Sequence, residues 1–307
     1  MEEVKLFDMK TCNICPHSCN ADRISNKKGV CRTSDKLSVS AICLHYGEEP
    51  VLSGFQGIVN IFFSNCNLRC IYCQNHQISF DSNDIIQNYH NIEDVIKKIC
   101  NYLDCGCNTV GFVSPTHNIP NMLSIIKGLW DAGREPIIVY NSNGYDKVET
   151  LKYIEDYIDV YLPDFKYVDD SLALKLSKAP GYSEIALSAI KEMYRQKGAN
   201  LYLDDNGYAI SGLIIRHLIL PGYIENSINV LDCIANKLTT SLHISLMSQY
   251  MPTIHTSSHS NLRRKLNFKE YEKVLEHFEG LGFYNGWVQS LDSSEIYFPD
   301  FSLEIPF

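Results

Sequence analysis

From residue 57 onward, short apolar runs alternate with longer stretches in which apolar residues recur every three or four positions. The runs at 57–63 (GIVNIFF), 109–113 (TVGFV), 136–140 (PIIVY), 158–162 (IDVYL), 213–220 (LIIRHLIL) and 242–247 (LHISLM) predict strands. Helices are predicted over 92–103, with Ile92, Val95, Ile96, Ile99 and Leu103 on one face, and over 120–131, 146–157, 183–197 and 227–238. A last helix over 267–280 opens on Asn267, three residues before Glu270, which is capping-box spacing. Strands and helices in alternation describe an α/β fold on a mostly parallel sheet. Six such units are too few to close an eight-unit barrel, so the expectation is an open, partial (β/α)6 barrel of the TIM type. No repeat with a period of about 20 to 50 residues breaks the pattern.

Residues 1–50 do not share it. They are rich in Cys, Asn, Ser and Lys, and a segment of that kind needs a metal or the main domain to hold it in shape. The expected organisation is a cysteine-rich, metal-binding extension over 1–50 and a partial barrel with a C-terminal helix and tail over 51–307. The 307 residues suffice for one large core without covalent staples.

The 12 cysteines make up about 4% of the chain, below the ~8–10% of a disulfide scaffold, and they cluster. The opening MEEVKLFDMK carries acids and no apolar run, so no secretory signal is expected. No uninterrupted stretch of about 18 apolar residues is present, which argues against a membrane partner. A cytoplasmic, reducing compartment follows, where clustered cysteines read as metal ligands. With 36 acids against 27 bases and no basic run, nucleic acid is a poor partner.

Directly after the first predicted strand the chain reads FFSNCNLRCIYCQNHQIS, with Cys66, Cys70 and Cys73 in a C-x3-C-x2-C loop. Three thiolates on one loop can hold a cluster of four irons and leave one iron open to a substrate or cofactor. A zinc site is the alternative reading of the spacing alone.

This loop resembles the signature of radical S-adenosylmethionine (SAM) enzymes, in which an aromatic residue, here Tyr72, precedes the third cysteine. The resemblance extends over most of the chain. It is closest to the PflX-like group of pyruvate formate-lyase activating enzyme homologues, carried by CNICPHSCN, VGFVSPTH, VYNSNGYD, DVYLPDFKY, IKEMYRQKG, IRHLILPG and NGWVQ. It implies a SAM-cleaving oxidoreductase of activase type, with a 4Fe-4S cluster on Cys66, Cys70 and Cys73 and SAM chelated to the open iron. The cluster would be reduced by an electron donor such as flavodoxin or ferredoxin. A 5'-deoxyadenosyl radical would then abstract hydrogen from a protein, peptide or small molecule, the glycine of a glycyl-radical enzyme included. The competing class is a non-enzymatic iron–sulfur electron carrier or a metal-dependent interaction module.

The resemblance also implies SAM contacts. Activases end the second strand in Gly-Gly-Glu-Pro, where this chain has Ser114, Pro115, Thr116 and His117. Ser114, Thr116 and His117 are binding candidates there, or else Pro115 ends the strand and His117 starts a helix. The Asn141-Ser142-Asn143-Gly144 turn looks like the activase turn that faces SAM, with Asn141 and Asn143 as candidates; an ordinary β-turn is the alternative. Asp164 and Lys166, two residues apart on a strand, share one face and are candidates for SAM or substrate, or form a rim salt bridge. Arg216, in an apolar strand, needs a partner. The resemblance makes it the SAM carboxylate, and a structural ion pair is the alternative. His217 faces the other way as packing, and Gln249 and Tyr250 follow the sixth strand.

Cys12, Cys15, Cys19 and Cys31 supply four ligands for a second metal site, iron–sulfur or zinc, with His17 near enough to replace one. Cys100 and Cys233 read as core residues on helix faces. Cys43 carries no assigned role, and Cys105 and Cys107 are too close to assume a site.

Overall fold

The computed structural model describes residues 7–80, 88–295 and 298–307; the first six residues of the N-terminal extension lie outside it. Nine strands make one sheet: β1 Val39–His45, β2 Ile58–Phe63, β3 Thr109–Val113, β4 Ile137–Ser142, β5 Val160–Pro163, β6 Tyr202–Leu203, β7 Ala209–Leu218, β8 His243–Met247 and β9 Gly286–Val288. The order is β1-β2-β3-β4-β5-β7-β8-β9, with β6 paired to β7. From β2 to β9 the pairing along this path is parallel, and β1 joins β2 antiparallel. The sheet curls into a partial barrel and stays open, since β1 and β9 are its two ends.

All six predicted strands are present, and each alternates between faces as its pleat requires. On β7, Arg216 and Leu218 turn into the barrel, whereas Leu213, Ile215 and His217 join the outer core against the helices. His217 is fully buried there: its Nδ1–H donates to the Phe165 carbonyl at 2.7 Å, so its Nε2 accepts from Ser227 Oγ at 2.9 Å. Capping of the last helix is as read, with Asn267 Oδ1 accepting from the Glu270 amide at 3.1 Å and Glu270 Oε2 accepting from the Asn267 amide at 3.3 Å.

The structure adds β9 and a helix at Asp170–Ser177 that the sequence reading lacks, and three further elements differ from it. Strand β1 lies inside the 1–50 segment: Val39 and Ile42 enter the main core, and Ala41 and Cys43 pack with Phe62 and Phe301. Its apolar alternation is short and flanked by Lys and Ser, and only pairing with β2 makes it a strand. The helix read over 146–157 is Val148–Tyr153 followed by a 3-10 turn at Glu155–Tyr157, because Asp146 is drawn into a buried hydrogen-bond network. The fifth strand starts at Ala209, since β6 pairs with it across a turn in which Asp204 Oδ1 accepts from the Asn206 and Tyr208 amides. No helix among the described residues is long and apolar enough to cross a membrane.

Candidate active site at the cysteine loop

The loop after β2 is pinned before it can present its thiols. The Arg69 and Ile71 amides donate to the Ser177 and Leu176 carbonyls at 2.9 Å, tying it to the helix Asp170–Ser177. Each thiol also meets a hydrogen-bonding group. Ser177 Oγ donates to Cys70 Sγ at 3.0 Å, the Leu68 amide and Asn143 Nδ2 donate to Cys66 Sγ at 3.4 and 3.5 Å, and Ser79 Oγ lies 3.5 Å from Cys73 Sγ. Burial nevertheless pushes the Cys66 thiol up to about 12 and Cys73 to about 11, and raises Cys70. Thiols of this kind ionise only against a strong local cation, which a metal centre supplies. No three or more His, Cys, Asp or Glu side chains among the described residues converge on one ion-sized point. A cubane spreads three cysteines over three irons, and three thiols on one loop supply that number of ligands.

Cys66, Cys70 and Cys73 open into a cavity of about 720 Å³ inside the barrel. Tyr72, Ser114, Asn141, Asn143, Asp164 and Lys166 line it too, as do Arg216 and Gln249. Below the thiols runs a charged belt. Asp164 accepts from Lys166 Nζ at 2.5 Å and from Arg216 Nε at 3.2 Å; Arg216 also donates to Glu48 at 3.0 Å and to Asn141 Oδ1 at 2.9 Å. Burial alone would raise Asp164, but the Lys166 and Arg216 charges overcome it and hold its carboxyl below the usual range. Lys166 and Arg216 are correspondingly raised, their neighbouring acids outweighing the burial that would lower them. Arg216 is thus an ion-paired residue, the alternative left open by the sequence, while Lys166 keeps donors to spare beyond Asp164.

Several expected residues do not reach the cavity. Thr116 is fully buried and donates to Asp146 Oδ1 at 2.7 Å, in a network shared with Tyr140, which donates at 2.8 Å, and Ser142. His117 is buried with its Nε2 on the Ser64 carbonyl at 3.0 Å, and burial lowers it to about 4, so the ring is neutral. Both lie behind the wall because Ser114, in the left-handed region at φ 48°, turns the chain away from the strand axis. Tyr250 is packed as well, its hydroxyl on the Leu262 carbonyl. The structure adds Glu48, Glu49, Asn60 and Ser245 to the lining. Their only sequence signal is a polar residue at an inward position of an apolar strand, for Asn60 and Ser245, and there is none for the two acids, which follow a strand the pattern did not reveal.

The segment of the N-terminal cysteines packs on the barrel, with Cys12 and Ile14 in the main core. Cys12, Cys15 and Cys31 are buried and Cys19 is exposed. Burial pushes the Cys15 thiol up to about 12, with Cys31, Cys12 and Cys19 near enough to raise it further. Ser18, Asn20, Asn26 and Arg32 all adopt positive φ, so the chain winds tightly around these sulfurs. The His17 ring is engaged elsewhere: its Nε2 lies 2.8 Å from the carbonyl of Asn67, in the loop of Cys66, Cys70 and Cys73. Buried Arg23 donates to the His117 carbonyl at 2.8 Å and reaches Cys12 Sγ at 3.7 Å, tying this segment to the turn after β3.

The family model described as the Radical SAM superfamily matches residues 60–222. The uncharacterized protein MJ0674 of Methanocaldococcus jannaschii is 33% identical over 276 residues, covering 87% of this chain and 74% of that protein. Among solved structures, HydG, a maturase of the FeFe-hydrogenase, superposes with a TM-score of 0.50 at 14% identity over 72% of this chain and 49% of its own. HydG from Carboxydothermus hydrogenoformans gives 0.50 at 12% identity, over 74% and 51%. The chain therefore spans about half the length of these solved structures, and they share its fold.

Proposed function

Since the chain belongs to the radical SAM superfamily, we propose that Cys66, Cys70 and Cys73 hold a 4Fe-4S cluster at the mouth of the barrel and that SAM and a substrate share the cavity beneath it. The observation that carries this reading is that the three thiols open into the same cavity as Asp164 and Lys166. When bound, the cluster supplies the electron that splits SAM to methionine and a 5'-deoxyadenosyl radical, which takes a hydrogen atom from the substrate.

The chain's own residues do the placing. Lys166, with ammonium donors left over from Asp164, takes the SAM carboxylate. Asp164, held ionised by two cations, takes the SAM ammonium. Arg216 acts through Asp164 and Glu48 rather than on SAM, and Asn143 orients Cys66 through its amide. Tyr72, buried with its hydroxyl on Tyr167, walls the loop against water. Ser177 Oγ stabilises the Cys70 thiolate.

The electron comes from a flavodoxin- or ferredoxin-type donor. The substrate is a peptide, a protein segment or a small molecule, with the glycine of a glycyl-radical enzyme in that set by the PflX-like likeness. A carrier without chemistry would have no use for a cavity of about 720 Å³ under the open face of the thiols. Cys12, Cys15, Cys19 and Cys31 make the second metal site, iron–sulfur or zinc, a reading supported by the nearness of Cys12, Cys19 and Cys31 to the Cys15 thiol. The test is anaerobic reconstitution, reduction with dithionite and assay of 5'-deoxyadenosine. Formation that requires Cys66, Cys70 and Cys73 supports the reading; no formation, or formation that survives replacing all three by Ala, sinks it. Iron and zinc analysis of that triple variant reads the N-terminal site by itself.

A further inference from the structure

The far end of the cavity is built on different chemistry. Because β1 runs antiparallel to β2, His45 pairs with Ile58 at the start of β2, whereas the cysteine loop leaves the other end after Phe63. Three steps of ~3.3 Å along β2 separate Asn60 from Phe63 by roughly 10 Å. The turn after β1 delivers Glu48 and Glu49 to this end, beside Asn60. Asn60 fits because its β3 neighbour is Gly111, where an added Cβ would come within 2.3 Å of Asn60 Oδ1.

Three buried polar atoms here have no hydrogen-bond partner: Glu49 Oε2, Asn60 Oδ1 and His45 Nδ1. Their residues are 7%, 1% and 8% exposed, so bulk water does not satisfy them, and buried polar atoms of this kind call for a ligand or an ordered water. Charge counting agrees. The lining holds the carboxylates of Glu48, Glu49 and Asp164 against the cations of Lys166 and Arg216. Both cations are engaged by Asp164 and Glu48, which leaves Glu49 in surplus. Burial holds Glu49 above the usual carboxylate range and the Glu48 charge adds to it, with the Arg216 charge and the Ser245 hydroxyl pulling the other way, so a cation beside Glu49 would be needed to favour its ionised form; burial also lowers His45, keeping its ring neutral. A surplus carboxylate, an amide oxygen and a neutral imidazole complement a donor-rich cation.

We propose that this end of the cavity binds an alkylammonium group of the substrate, with Glu49 as its counter-ion and Asn60 Oδ1 as a second acceptor. The proposal rests on the reading that SAM occupies the cysteine-loop end of the same cavity, on the other side of the Arg216–Glu48 pair. Anchored at Glu49, the substrate extends its carbon chain up the barrel toward the site where the radical forms.

Pentylammonium is the probe, with 1-pentanol as its neutral counterpart, and binding is measured by calorimetry or ligand-observed NMR on cluster-reconstituted, SAM-saturated, unreduced protein. Pentylammonium is expected to bind at least about tenfold more tightly than 1-pentanol, as a charge-assisted bond to a buried acid requires. Glu49→Gln, which keeps the shape and removes the charge, is expected to erase that preference. Equal binding of the two probes to the wild-type protein, or a preference that survives Glu49→Gln, overturns the proposal. Should Glu49→Gln not fold, Glu49→Asp takes its place: a narrowed preference supports the site and an unchanged one counts against it. Formation of 5'-deoxyadenosine by the wild-type protein is scored separately and decides the SAM reading. The probe measurement, repeated without SAM, still decides the ammonium site if that reading fails.

Discussion

Arg216 Nε donates to Asp164 Oδ1 at 3.2 Å across the β5–β7 seam, 52 residues apart in sequence, and the same guanidinium reaches Glu48 at 3.0 Å. These side chains are only 10–16% exposed, so the pairing is a buried network in which each member depends on the others.

Removing the central cation should therefore cost more than the contacts themselves. Arg216→Met strands Glu48 and half of Asp164, and the expected loss is about 3 kcal/mol in urea unfolding, the order seen when one member of a buried pair is deleted. Neutralising the orphan as well, in Arg216→Met/Glu48→Gln, should restore a large part of it. A double variant no more stable than the single one would show that the network is not coupled.

Stability should fall on mild acidification because of two buried histidines. His117 and His217 are each lowered to about 4, first by burial, from an unfolded value near 6.5. The unfolded chain then binds more protons between those values, so stability is full above pH ~6.5 and is lost as the pH falls toward 4. Each contributes about 2 kcal/mol of loss between pH 7.5 and 5. Urea unfolding across that range checks it: His217→Gln should flatten the dependence by roughly half, and an unchanged slope would refute it.

Gly144 sits at φ +80°, and a Cβ there would come within 2.2 Å of the Asp164 carbonyl. Gly144→Ala must push the Asn143 turn off β5. A cost of about 2–4 kcal/mol is expected, combining the left-handed backbone with an immovable backbone neighbour. Loss of the Asn143 contact to Cys66 should also lower iron uptake in reconstitution, whereas Gly133→Ala, with open space around its Cβ, should leave uptake unchanged.

Ser177→Ala removes the hydroxyl that donates to Cys70 Sγ at 3.0 Å. A thiolate without its donor binds oxidised iron better, so the reduction potential of the reconstituted protein should move to a more negative value. Spectroelectrochemical titration reads this directly. A potential equal to the wild type would mean that Ser177 serves only Tyr167, to whose hydroxyl it is also bonded at 2.7 Å.

The strands that build the barrel wall were legible because each is a self-contained apolar run, and the Asn267 cap because its partner is three residues away. Strand β1 was not, since its face is covered by Phe62, Ile78 and Phe301 from distant parts of the chain. Thr116 and His117 occupy the sequence position of a binding element, yet one left-handed residue, Ser114, sends them behind the wall. Nothing in the local sequence announces that turn.

The sequence by itself determined the chemistry that is local along the chain: three thiols within eight residues on the loop after a strand, and an Asp and a Lys two residues apart, which the structure places just past the end of β5 rather than on the strand itself. The tertiary structure alone decided what surrounds them. It brought Glu48 to Arg216 over 168 residues, set Ser177 against Cys70 over 107, and left Glu49 Oε2 buried without a hydrogen-bond partner. Metal-ligand spacing is written in a single loop, whereas charge compensation in a buried cavity depends on which strands the fold places side by side.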